Sequence, residues 1–208
     1  EVAETLGMDV ADVHCDVADT SAVGYTFLSG GSRTVFATGI AAIQAAQEAI
    51  RRMKDRAALM WQVAPDTVSY ANGVFATSAD PSSGRTKRLT FKEVAAKLPT
   101  TGGPVSVSSS AIPQGVGPTI GAHIVDVEVD PETGKVQVLR YTAVQDTGKA
   151  IHPSLVESQM QGGASQGIGW ALWEGYQFDE QGRLLNTSFL DYKMPTAYDL
   201  PMIDTVLV

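Results

Sequence analysis

At 208 residues, with 44% hydrophobic and 18% charged side chains, the chain has the make-up of a folded protein with a real core, in one large or two modest domains. A net charge of −8 and a pI near 4.8 argue against a binder of nucleic-acid backbones, which needs a basic stripe. No apolar run approaches the roughly 20 residues of a spanning helix, so membrane insertion is not expected.

In chain order, Glu1 to Gly7 reads as the end of a helix, and Asp12 to Ala18 alternates enough for a strand. Cys15, the single cysteine, falls in that strand and is expected to be a buried, inert thiol. With one cysteine there is no internal disulfide or cysteine-ligated metal, which fits a reducing, cytoplasmic setting. After a polar, glycine-containing loop, Thr34 to Gln62 turns helical, with Ile40, Ile43, Ala46, Ile50, Met53, Ala57 and Met60 at steps of three and four. Its basic run, Arg51, Arg52, Lys54 and Arg56, reads as a solvated face. Pro65 forbids further helix, and Val68 to Thr77 is expected as a hairpin around Asn72-Gly73. Thr90 and Glu93 form a capping box opening a short helix that ends near Leu98-Pro99. Residues 100–120 are a Gly-, Pro-, Ser- and Thr-rich linker.

In the second half, His123 to Asp130 alternates cleanly, the segment Asp130 to Gly134 turns, and Lys135 to Ala143 returns as a partner strand. Pro153 suits the first turn of a helix running to about Trp173. Tyr176 to Leu185 is expected as a hairpin turning at Glu180 to Gly182, and a loop with Pro195 and Pro201 leads into a last strand. Together these predict an α+β fold, mixed sheets with helices packed on one face, in two subdomains of similar size, 1–100 and 101–208. Both ends read as cut within elements, as in a piece of a longer polypeptide.

The stretch from Asp146 to Pro201 is the most unusual. Glycines at 148, 162, 163, 167, 169 and 175 stand among Gln159, Gln161, Gln166 and Glu174. A glycine within a helix costs about 1 kcal/mol relative to alanine, so the run requires a reason. Packing against a sheet explains a single glycine; the whole cluster points to close approach of a large polar ligand that is hydrogen-bonded rather than ion-paired. Gly163-Ala-Ser165-Gln-Gly167 matches the G-x-S-x-G nucleophile elbow, but all three histidines (His14, His123, His152) precede Ser165 and the segment reads as continuous helix, so an acyl hydrolase is not expected. The glycines do not spell a dinucleotide-binding turn either. A metal site from the three histidines would need distant segments to converge, and structural roles are expected for His123 and His152. Asp146 is expected to tie its own loop, and the sequon Asn186-Thr187-Ser188 matters only in a secreted protein. Gly30-Gly31-Ser32-Arg33-Thr34, at the start of the long helix, offers free amides, a positive dipole end and an arginine to an anion, although Ser32 as an N-cap also accounts for it.

On these residues the chain resembles the molybdenum-binding large subunit of the xanthine dehydrogenase, aldehyde oxidase and carbon monoxide dehydrogenase family of molybdenum hydroxylases. The matching blocks are AETLG with the following ADT, GGSRTVFATG with its AAIQAA helix, GAHIVDVEVDPETGKVQVLRYTAVQDTGKAIHP, ESQMQGGASQGIGWALWEG and GRLLNTSFLDYKMPTAYDLP, with residues 63–119 carrying it least. The resemblance implies a molybdenum ion held by the dithiolene of a pterin, molybdopterin or its dinucleotide form, with no direct protein ligand. It implies hydroxylation of a C–H bond of a small molecule with oxygen from water, and iron–sulfur clusters and FAD on other domains or subunits of an oligomeric enzyme. By position, Gly31, Ser32, Arg33 and Thr34 match the loop that cradles the pterin and its phosphate. Phe36 to Gly39, with Thr38 and Gly39, matches the segment near the metal. Gln159 matches a glutamine that hydrogen-bonds the pterin, and Gly162 and Gly163 allow close approach beside it. The family's catalytic glutamate, in a G-x-G-E motif, is expected downstream of Val208, so no catalytic residue is assigned and the isolated segment is expected to be inactive. Substrate is left open. The alternative is a non-catalytic module that keeps the fold for assembly or interaction.

Overall fold

A computed structural model describes residues 1–17, 19–21, 23–77, 84–113, 115 and 117–208. The chain divides into two compact units, Glu1–Val116 and Gly117–Val208, at a point inside the 100–120 segment. Residues 101–116 fall with the first unit. There the Ser106 carbonyl accepts from Arg52 Nη1 at 2.9 Å and Ser109 Oγ donates to Gln44 Oε1 at 2.9 Å.

The first unit is built on the long helix. After α1 (Val2–Leu6), closed by Gly7, comes α2 (Thr34–Trp61), whose apolar stripe needs a partner. It finds one in an antiparallel sheet of β1 (Val68–Ala71), β2 (Val74–Thr77) and β3 (Arg88–Thr90), with α3 (Phe91–Ala96) completing the cover. The core is Met53, Ala57, Ala58 and Trp61 from α2 against Val68, Phe75, Val94 and Leu98. The β1–β2 turn takes the backbone its residues suit, with φ 48 at Asn72 and 76 at Gly73. The capping box at α3 is present in both directions. Two members of the basic run are ion-paired: Arg51 and Arg52 hydrogen-bond Glu48 and hold its carboxyl down at about 2.

The second unit is a mixed sheet with one helix. β4 (Gly121–Val129) pairs antiparallel with β5 (Val136–Gln145), with a bulge between Asp126 and Val127. The return strand thus runs two residues past the expected Ala143. β5 then pairs in parallel with β6 (Ile203–Leu207), Tyr141 opposite Ile203. A parallel neighbour demands a long crossover, and α4 (Pro153–Leu172) supplies most of it. Met160, Ala164 and Ile168, four residues apart on α4, are buried, as are Ala143 on β5 and Ile203 on β6.

Two expectations fail. Asp12 to Ala18 is not a strand: Val10–Asp12 is a short 3-10 helix, residues 13–17 are irregular, and Ala18 lies outside the described residues. Alternation there is carried by Val13, Cys15 and Val17, and among the described residues no strand pairs with them. Cys15 is consequently exposed, not buried. The expected 176–185 hairpin forms in short form: Phe178 bridges Leu184 about the turn at Gly182, with the Leu185 amide donating to the Gln177 carbonyl at 2.7 Å and the Asp179 amide to the Arg183 carbonyl at 3.0 Å. Asn186 reinforces it, its Oδ1 accepting from the Gln177 amide at 2.9 Å and its Nδ2 donating to the Gly175 carbonyl at 2.6 Å. The sequon asparagine is thereby buried and committed.

Phe75→Ala removes a fully buried ring and is expected to lower stability by about 3–5 kcal/mol in urea unfolding. At Gly73 a Cβ would sit 2.5 Å from the Gly7 carbonyl oxygen with φ at 76, whereas at Gly134, φ 73, it would meet nothing. Gly73→Ala is therefore expected to cost clearly more than the roughly 1 kcal/mol of Gly134→Ala, read as the difference in urea midpoint.

Candidate functional site

The candidate residues lie in two stretches, one in each unit. In the first, the loop entering α2 turns through two successive left-handed residues, Gly31 (φ 65) and Ser32 (φ 56). A serine there is uncommon, and it displaces Ser32 from the N-cap. Arg33 takes that position and no side chain caps the helix. Thr34 Oγ1 donates back to Ser29 Oγ at 2.9 Å, and the Arg33 guanidinium lies 5.2 Å from the Phe27 ring centre. The first turn of this 28-residue helix carries no acidic residue. Its free amides and positive dipole end are thus left to an anion, with Arg33 alongside. Thr38 is exposed on the next turn. Gly39 differs: it is buried, and a Cβ on it would lie 2.5 Å from the Glu1 carboxylate. That neighbour is the movable end of a side chain, so packing does not by itself require a glycine at 39.

In the second unit, burial of Met160, Ala164 and Ile168 turns the next face of α4 outward. Gln159, Gly162, Gly163, Gln166 and Gly167 are all exposed on it, at steps of three and four. Added Cβ atoms at Gly162, Gly163 and Gly167 would meet nothing within 4 Å. Gly169 is the counter-example, because a Cβ there would run into Glu174 and Pro195. The protein's own packing thus explains one helix glycine and leaves three unexplained. Gln161, two positions from Gln159 and on the opposite side, donates from Nε2 to the Ile203 carbonyl at 3.0 Å and ties α4 to β6. Ser165 Oγ donates to the Gln161 carbonyl at 2.7 Å, an ordinary bond within the helix, so the G-x-S-x-G match carries no nucleophile.

Beside the glycine face lies an open recess of about 360 Å³, lined by Gln159, Met160, Gly163, Ala164 and Gly167 of α4 and by His123, Tyr141 and Gln145 of the sheet. Sequence reading assigned none of the three sheet residues. The only signal was strand pairing: His123 stands opposite Ala143 and Tyr141 opposite Val125, which makes them diagonal neighbours on one face. Tyr141 Oη lies 3.0 Å from His123 Nδ1. Below α4, Asp146 Oδ1 accepts from the Gly148 amide at 2.8 Å, the loop-tying role expected of it. The next residue, Thr147, keeps a buried Oγ1 with no hydrogen-bond partner among the described residues.

A second recess, at the end of α4, spends its polar groups internally. Tyr192 Oη donates to Glu174 Oε2 at 2.7 Å, which pushes the phenol up to about 12, and Asn186 is fully bonded. The α4 recess is the one whose walls combine amides, an imidazole and a phenol with a glycine surface. That chemistry fits an uncharged heterocycle edged with donors and acceptors, and the uncapped start of α2 fits a phosphate. The donor set of the α4 recess by itself suits a pterin ring.

Comparisons with known proteins bear on the family and the fold. Residues 1–201 match the family model described as the molybdopterin cofactor-binding domain. The chain is 32% identical, over its full length and 28% of the relative, to the putative xanthine dehydrogenase molybdenum-binding subunit of Escherichia coli (strain K12). It is 28% identical, over 98% of its length and 26% of the relative, to the 6-hydroxypseudooxynicotine dehydrogenase complex subunit gamma of Paenarthrobacter nicotinovorans. All of the chain superposes on 26% of a crystallised Cu,Mo-CO dehydrogenase chain, with a TM-score of 0.79 at 26% identity. The chain spans about a quarter of the length of the curated relatives it matches. It belongs to the molybdopterin cofactor-binding domain family, as found in the large subunits of molybdenum hydroxylases.

Proposed function

We propose that this chain binds and orients a molybdopterin cofactor within a molybdenum hydroxylase, through Gln159, Gly162 and Gly163 on α4 and through Gly31, Ser32, Arg33, Thr34 and Thr38 at the start of α2. Gly39, buried in the same stretch, belongs to the same set. The observation that carries the reading is the outward face of α4: three glycines with open space beside them on the side that bears Gln159. An exposed helix glycine costs about 1 kcal/mol against alanine, and no contact inside the unit offsets it. A ligand seated close to the backbone does.

When bound, the cofactor supplies the redox centre for oxidising a small substrate, with water as the oxygen source. This chain's own residues bind and orient. Arg33 and the first-turn amides of α2 neutralise phosphate charge, whether of molybdopterin or of its dinucleotide form, and Gln159 pairs with the heterocycle edge. Both halves, 1–100 and 101–208, belong to the cofactor-binding region on this reading. The rest of the large subunit, iron–sulfur clusters and FAD on other domains or subunits, and a cytoplasmic oligomer complete the enzyme. Among the described residues no helix is long and apolar enough to cross a membrane.

The test separates stability from binding in the full-length subunit. Gly163→Ala is expected to keep or raise the melting temperature, by an increment worth up to about 1 kcal/mol. Gly163→Leu is expected to fold yet to carry several-fold less molybdenum and phosphorus per polypeptide. Wild-type molybdenum and phosphorus in folded Gly163→Leu protein would overturn the assignment of this face.

A further inference from the structure

The helix side of the α4 recess is accounted for by Gln159 and the glycines, but the sheet side is not. His123 projects there from β4, exposed, with its ring edge-on to Tyr141 at 5.6 Å between centres. The hydrogen bond between His123 Nδ1 and Tyr141 Oη fixes the ring, so the second nitrogen, Nε2, is left to face a ligand. Neither residue serves the core: the buried contacts of this sheet with α4 run through Ala143 and Ile203. Gln145, on the same strand as Tyr141, lines the same wall with an amide that makes no hydrogen bond among the described residues.

We infer that His123, oriented by Tyr141, is a further cofactor-contacting residue, hydrogen-bonding from the sheet side the nitrogen-rich ring that Gln159 holds from the helix side. The inference rests on the molybdopterin reading of the recess. A neutral hydrogen bond is worth little, so the expected effect is modest and measurable: loss of one such bond changes an equilibrium about two- to tenfold. Tyr141 acts through His123 and is a positioning residue, so its removal is expected to have the smaller effect.

The experiment uses the full-length subunit assembled with its partner subunits, and reads molybdenum and phosphorus per polypeptide together with the rate of cofactor release on dilution. His123→Ala is expected to release cofactor about two- to tenfold faster than wild type at an unchanged melting temperature. His123→Gln, which keeps a donor and an acceptor, is expected to recover most of the difference, and Tyr141→Phe to fall between wild type and His123→Ala. Wild-type content and release rate in His123→Ala would overturn the inference. If Gln159→Ala loses cofactor while His123→Ala does not, only the inference fails. If the wild-type assembly carries no molybdenum, the underlying reading fails with it.

Discussion

The second unit depends on one constraint, the parallel pairing of β5 with β6. Parallel neighbours cannot be joined by a tight turn, so the chain must cross over the sheet, and α4 is the crossover element. Once the helix lies there, Met160, Ala164 and Ile168 are buried and Gln161 reaches the Ile203 carbonyl. That anchoring sets the rotation of α4 about its axis. Gln159, Gly162, Gly163 and Gly167 are then directed outward with no remaining freedom. The candidate site is a consequence of how the helix is held, not of flexible side chains finding one another.

The same constraint sorts the glycines, which sequence alone treats as equivalent. Gly169 is demanded by packing against Glu174 and Pro195, whereas Gly39 meets only the movable end of the Glu1 side chain. Gly162, Gly163 and Gly167 are not demanded by anything in their own unit. The expectation that the cluster as a whole favours a ligand therefore narrows to three positions. It also gains a second wall in His123, Tyr141 and Gln145.

Much of the fold was legible where a local rule and a tertiary partner agree. The stripe from Ile40 to Met60, the Asn72-Gly73 turn and the Thr90–Glu93 capping box each carry their own chemistry, and each took the expected form. Legibility failed where a weak pattern needed a neighbour it did not have. Val13, Cys15 and Val17 alternate, but among the described residues no strand pairs with them, and Cys15 ends exposed. Asn186 was read only as a sequon, whereas its amide braces the base of the expected 176–185 hairpin. Of the site, Gln159 and the stretch around Arg33 came from resemblance and helix-start chemistry. His123 and Tyr141 depend on strand register across 18 residues, which no local pattern encodes.

The central claim is that the outward face of α4 exists for a cofactor and not for another protein element. The most direct test is the experimental structure of the full-length, molybdenum-loaded enzyme. The account requires the pterin ring system within hydrogen-bond distance of Gln159 and in van der Waals contact with the backbone at Gly163. A structure in which polypeptide covers Gly162, Gly163 and Gly167, with the cofactor elsewhere, would contradict it.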